Sequence, residues 1–201
     1  VSGLALRDRL DAIVIGASAG GIEALSVVLP ALPADTAAAV FVVVHLPRDR
    51  PSHLADIFAR KCALKVREAQ DKEPVEAGTV YFAPTNYHLL VDRGPQLALS
   101  VDDLVHHSRP SIDVLFESAA YVYRERLLGI ILTGANDDGA EGLAVVHELG
   151  GWTVVQEPET AHSRQMVIAA QTATAPDYVL SLQGIAALLA TLGTQPPAQH
   201  P

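Results

Sequence analysis

Three segments of the chain end an apolar run on a residue able to do chemistry. Gly16-Ala17-Ser18-Ala19-Gly20 matches G-x-S-x-G, in which small neighbours let a strained turn push the serine hydroxyl to a helix N-terminus, so Ser18 reads as a nucleophile. The same glycines, with Gly21, also suit a plain tight turn or a phosphate cradle. A dinucleotide fingerprint needs Gly where Ser18 stands and an acidic residue at the end of the second strand, yet that strand runs into His45. His45 precedes Leu46–Pro47 and would emerge at the same rim as Ser18, a base beside a hydroxyl; the alternative is a strand-end histidine satisfied by a loop carbonyl. The third segment, Ile130 to Gly142, carries Asp137 and Asp138 into a helix. Either could orient the imidazole and stabilise the imidazolium, or Asp138 could be an N-cap and nothing more.

These residues must be carried by an α/β frame. Short Val-, Ile- and Leu-rich runs alternate with segments of helical period, the signature of a three-layer α/β/α fold around a mainly parallel, doubly wound sheet. Strands are expected at Ala12–Gly16, Val40–His45, Leu127–Leu132, Trp152–Gln156 and near Asp177–Leu180. Ile22, Leu25, Val28, Leu29 and Leu32 form one apolar stripe, stopped by Pro30 and Pro33. Ser111 reads as the N-cap of a helix with Asp113 in its first turn, a further helix spans Ala140–Leu149, and a last one about Leu182–Leu192. Residues 65–101 break the rhythm and read as antiparallel hairpins, from Gly78–Ala83, His88–Val91 and Gln96–Ser100. The expected organisation is one domain over residues 1–192 and a frayed tail over 193–201.

Composition narrows the classes. The 201 residues are 49% hydrophobic and 18% charged, which argues for a packed core and against disorder. The net charge of −9, from 14 Lys+Arg and 23 Asp+Glu, disfavours a nucleic-acid binder. A lone Cys62 fits a reducing compartment, and no apolar run reaches the ~20 residues needed to cross a bilayer as a helix. The expectation is a cytoplasmic protein without membrane insertion. The eight histidines lack metal-ligand spacing, so no metal or other cofactor is expected, and His106–His107 reads as a solvated loop pair. The order Ser18, His45, Asp138 differs from the Ser–acid–His order of α/β-hydrolases.

At these residues the chain resembles the catalytic domain of the chemotaxis protein-glutamate methylesterases, the CheB family. Ile15–Gly21, Val42–Pro47, Arg109–Phe116 and Leu132–Ala140 carry the likeness, with Val80–Pro84 and His88. The resemblance implies hydrolysis of glutamate methyl esters on chemoreceptor signalling helices with release of methanol, and in many members deamidation of receptor glutamines. It maps the family's serine, histidine and aspartate onto Ser18, His45 and Asp138, with Asp137 as the fallback. Oxyanion donors are expected from the Gly134–Ala135 turn and from Ala19, and substrate contacts from Arg109 and Met166. A basic cluster of Arg48, Arg50, Arg60 and Lys61, with Arg109, would line the approach of an acidic receptor helix, or is a solvated face.

The chain departs from the family pattern in places. Ala19 stands where many members carry a hydroxyl, and the third loop, often T-G-M-G-N-D-G-A, here has Ala135 for Met and Asn136 for Gly. Val167–Ile168 follow Met166 where a proline and a basic residue are frequent. About ten residues precede the first strand, so the expectation is either a catalytic domain excised from a longer chain or a stand-alone member with no receiver domain; a regulatory receiver could be supplied in cis upstream or in trans. The competing functions are a catalytically silent adaptor that binds receptor helices, made possible by the changed third loop, and a phosphate-binding α/β module.

Overall fold

The computed structural model describes residues 10–46 and 52–193. Pro47, Arg48, Arg50 and nearly all of the expected tail lie outside them. At the centre stand β1 (Ala12–Ala17) and β2 (Ala39–Val44), each buried along its whole length. Strands with no exposed face need apolar residues at every position, and both sequences supply them. The sheet is completed by β3 (Lys65–Glu68), β4 (Thr79–Phe82), β7 (Leu127–Ile131), β8 (Trp152–Gln156) and β9 (Tyr178–Leu180), in the order β3-β4-β2-β1-β7-β8-β9. Every neighbouring pair is parallel.

Of the antiparallel pairing expected across residues 65–101, the described residues form the pair of β5 (His88–Asp92) with β6 (Gln96–Ser100) and an isolated bridge between Pro74 and Gln96. β3 and β4 instead join the main sheet as parallel strands, with Val80 opposite both Val66 and Val40. All four residues of β4 are buried, which a surface hairpin could not provide. The β5–β6 hairpin lies over the sheet through Leu89, Val91 and Leu97.

The helices are α1 (Gly21–Val28), α2 (Leu54–Ala59), α3 (Ile112–Tyr123), α4 (Ala140–Glu148), α5 (Gln165–Ala173) and α6 (Leu182–Ala190). Alternate residues of β1 feed two cores: Ile13 and Ile15 pack with Leu25, Val28, Phe58 and Ile185, whereas Val14 packs with Ile112, Phe116, Leu143 and Val167. The three layers follow from that period of two. Ile22, expected in the α1 stripe, is 38% exposed, while Leu25, Val28, Leu29 and Leu32 hold the helix and the following turn to the sheet.

From β1 the chain winds outward through β2 and β4 on one side, and later through β7, β8 and β9 on the other. The order reverses between β1 and β7. Crevices outside the carboxyl ends of strands at such a switch point are where open α/β sheets bind ligands. Among the described residues no helix is long and apolar enough to cross a membrane.

Candidate active site

Ser18 and His45 leave the sheet side by side. Ala17 of β1 is opposite Val44 of β2, and the His45 N–H donates to Ala17 O at 3.1 Å, so the next residue of each strand emerges at one edge. Ser18 N–H donates to Thr133 O at 2.9 Å beyond β7, and Gly21 N–H closes the turn on Ser18 O at 2.8 Å. The turn requires Gly20, whose φ is +81° and where a Cβ would lie 2.5 Å from Cβ of His162.

The imidazole of His45 is 13% exposed, and its Nε2 lies 2.7 Å from Oδ2 of the fully buried Asp138. An ionised carboxylate can only accept, so Nε2 carries the proton and Nδ1 is the basic nitrogen. Asn136 Nδ2 lies 3.4 Å from that Nδ1.

Asp138 does not cap its own helix, as the simpler reading of the sequence would have it. Gly139, at φ +99°, occupies the N-cap of α4. The Asp138 carboxylate instead receives Ser111 Oγ–H at 2.7 Å, Ile112 N–H at 2.8 Å and Asp113 N–H at 3.0 Å, at the N-terminus of α3. Asp113 returns the exchange, its Oδ1 accepting from Gly139 N–H at 2.9 Å and Gly142 N–H at 2.7 Å at the start of α4. Two helices thus trade aspartates, each carboxylate lying at the positive end of the other's dipole. Burial pushes the Asp138 carboxyl up, but the hydrogen bonds from His45, Asp113 and Ile112 outweigh it and hold it below the usual carboxylate range. For Asp113 burial wins over the Gly142 and Gly139 hydrogen bonds, and its carboxyl is pushed up to about 6.

His106 is not the solvated residue expected from the sequence. Its imidazole, 31% exposed, sits 3.3 Å from Asp113 Oδ2 and 3.2 Å from Asp137 Oδ1. Asp137 is 61% exposed and turned to His106, which removes it as the partner of His45.

Thr133 joins the three loops of the site. Its Oγ1 lies 2.8 Å from Ala19 O and 3.2 Å from Ser163 O and accepts from Ser163 N–H at 2.9 Å, while its own N–H donates to Gln156 Oε1 at 2.9 Å. Of the expected oxyanion donors, the Gly134 N–H is engaged by Ser163 O at 3.2 Å. The Ala19 and Ala135 N–H groups have no acceptor among the described residues. Met166 is 1% exposed and packs on Gly134, where a Cβ would meet its Sδ and Cε at 2.5 Å. It is buried against the Gly134–Ala135 turn.

Arg109 lines a cleft of about 80 Å³ with His45, Leu46, His107, Ser108 and Pro110. Its guanidinium binds Val101 O, Asp102 O and, through two nitrogens, Asn86 Oδ1. Four of its five N–H groups are engaged within the protein, which braces the cleft wall. Lys61, expected in the basic approach, is drawn aside to Ser26 Oγ at 3.1 Å. Sequence reasoning gives no site role to Thr133, Ser111, Asp113 or Gln156. It does place Ser111 and Asp113 at a helix start, and a polar pair buried there is the signal that could have found them.

With this geometry established, comparison with known proteins is specific. The family model for CheB methylesterase matches residues 13–189. A relative from Leptospira interrogans is 47% identical over 182 residues, 90% of this chain and 94% of its own length. A protein-glutamate methylesterase/protein-glutamine glutaminase of Symbiobacterium thermophilum is 45% identical over 155 residues, 76% of this chain but 43% of the relative. The crystal structure of the Thermotoga maritima CheB methylesterase catalytic domain superposes with a TM-score of 0.86 at 32% identity, covering 91% of this chain and 98% of that domain. A family model matching residues 13–189 and a solved catalytic domain that superposes on 91% of the chain give one assignment: the chain belongs to the CheB methylesterase family of hydrolases.

Proposed function

We propose that the chain hydrolyses γ-methyl esters of glutamate side chains on chemoreceptor signalling helices through a Ser18–His45–Asp138 triad. The observation that carries this reading is the 2.7 Å contact of His45 with the buried Asp138, at the sheet edge where Ser18 emerges. The names of relatives such as the Symbiobacterium protein point to the same bond.

Ser18 Oγ attacks the ester carbonyl while His45 Nδ1 takes its proton, and the Ala19 and Ala135 N–H groups receive the oxyanion. Collapse expels the methoxy group, which leaves as methanol with the proton from His45, and a glutamyl ester remains on Ser18. His45 then takes a proton from water as the water attacks, and the second tetrahedral intermediate collapses to the carboxylic acid as His45 returns that proton to Ser18; the acid then loses its own proton to solvent. Asp138 holds the imidazole tautomer and stabilises its protonated form. A glutamine side chain follows the same course, with ammonia leaving in place of methanol. A receiver domain, in cis or in trans, is the proposed regulator.

The test is methanol release from a carboxymethylated receptor fragment by the wild-type chain and by Ser18→Ala. Turnover in the first and none in the second supports the triad. Binding of the fragment without turnover in either would replace the enzyme with an adaptor.

A further inference from the structure

The two nitrogens of His45 have three claimants. Asp138 takes Nε2–H at 2.7 Å, so any proton that His45 accepts must enter at Nδ1. Ser18 needs that lone pair as its base, but among the described residues Ser18 Oγ makes no hydrogen bond to it. The group facing it is Asn136 Nδ2, at 3.4 Å. A neutral imidazole already donating through Nε2 has only a lone pair at Nδ1, so the amide must present its NH2 there. The other end of the amide, Asn136 Oδ1, is buried without a hydrogen-bond partner. An orphaned carbonyl is costly in a protein interior, so the amide is not held there by its own hydrogen-bonding comfort.

We propose that Asn136 is a positioning residue that caps the basic nitrogen of His45 in the resting enzyme, competing with Ser18 for one lone pair. The inference rests on the reading of Ser18 and His45 as nucleophile and base. The cap keeps the imidazole oriented but its Nδ1 unavailable until substrate displaces the amide. Among the described residues, the other charged or titratable groups against His45 are Asp138 on Nε2 and, across the cleft, His107 and Arg109. The resemblance places a glycine at this position in many family members, so the cap distinguishes this chain from them.

A single neutral hydrogen bond shifts an equilibrium by about two- to tenfold, and 3.4 Å is long for one, so the expected effect is about threefold. Asn136→Ala should lower KM for a small methyl ester about threefold with kcat unchanged, because the amide is displaced as substrate binds, and in an imidazole 15N NMR spectrum of the full chain the unprotonated Nδ1 should move downfield as it loses its donor. An Nδ1 resonance that stays in place in Asn136→Ala would overturn the cap, as would an unchanged KM. The spectrum needs no turnover. If wild type and Ser18→Ala both fail to release methanol, the esterase reading falls while the position of Asn136 is still decided.

Discussion

Replacing Asp138 by Asn keeps the shape of the side chain and removes its charge, so the hydrogen bonds it accepts must be shared out anew. Oδ2 serves His45 Nε2–H and Ile112 N–H, and Oδ1 serves Ser111 Oγ–H and Asp113 N–H. An amide has one oxygen. If that oxygen stays with Asp113, the new NH2 opposes both the Ile112 N–H and the imidazole N–H; if it turns, the Asp113 N–H is orphaned. In either orientation a backbone donor at the start of α3 loses its acceptor, worth about 1–3 kcal/mol, and the helix loses a buried countercharge worth about 1–2 kcal/mol. The sum is about 3 kcal/mol, or a fall in Tm of about 6–12 °C for a chain of this size. Turnover should fall about 10⁴-fold, since the protonated imidazole loses its stabilising charge. Urea unfolding and methanol release, measured on Asp138→Asn beside Ser18→Ala, separate the two roles, because the serine variant should lose turnover alone. An Asp138→Asn protein as stable as wild type within about 0.5 kcal/mol would refute the anchoring argument, and kcat within tenfold of wild type would refute the orienting one.

Two further outcomes are expected. The Asp113 carboxyl is raised in the fold to about 6 from an ordinary 3.8, so its contribution to stability is complete below about 4 and is lost as pH rises through 6. Asp113→Asn, which keeps an acceptor for Gly139 and Gly142, should flatten the dependence of the urea midpoint on pH across that window; an unchanged slope would show that Asp113 does not titrate there. Thr133→Val preserves volume but strips the hydroxyl that meets Ala19 O, Ser163 O and Ser163 N–H at a position 1% exposed. It should cost about 2 kcal/mol in urea unfolding and lower kcat more than it raises KM, because the nucleophile turn loosens while the cleft wall is untouched.

The frame is legible in the sequence because burial on two faces leaves a mark on every residue. Six consecutive buried positions in β1 and six in β2 can only be written as unbroken apolar runs, and the helices between them as apolar stripes. Residues 65–82 mislead because their local cues are those of a hairpin, short runs separated by turn residues. What places β3 and β4 parallel in the main sheet is the pairing of Thr79–Phe82 with β2, across some forty residues of chain.

By itself the sequence determined that a hydroxyl and an imidazole follow two strands of one parallel sheet and that a carboxylate lies in the loop after a third, since strand ends are local and parallel strands share a carboxyl edge. It could not say which aspartate of the pair turns inward. That choice was made by the N-terminus of α3, whose N–H groups draw Asp138 into the interior and leave Asp137 outside with His106. Nor could it find the exchange of carboxylates between two helices, or the amide of Asn136 over Nδ1. Hydrogen bonds between groups far apart in the chain depend on distance and direction in space, and a spacing along the chain encodes neither.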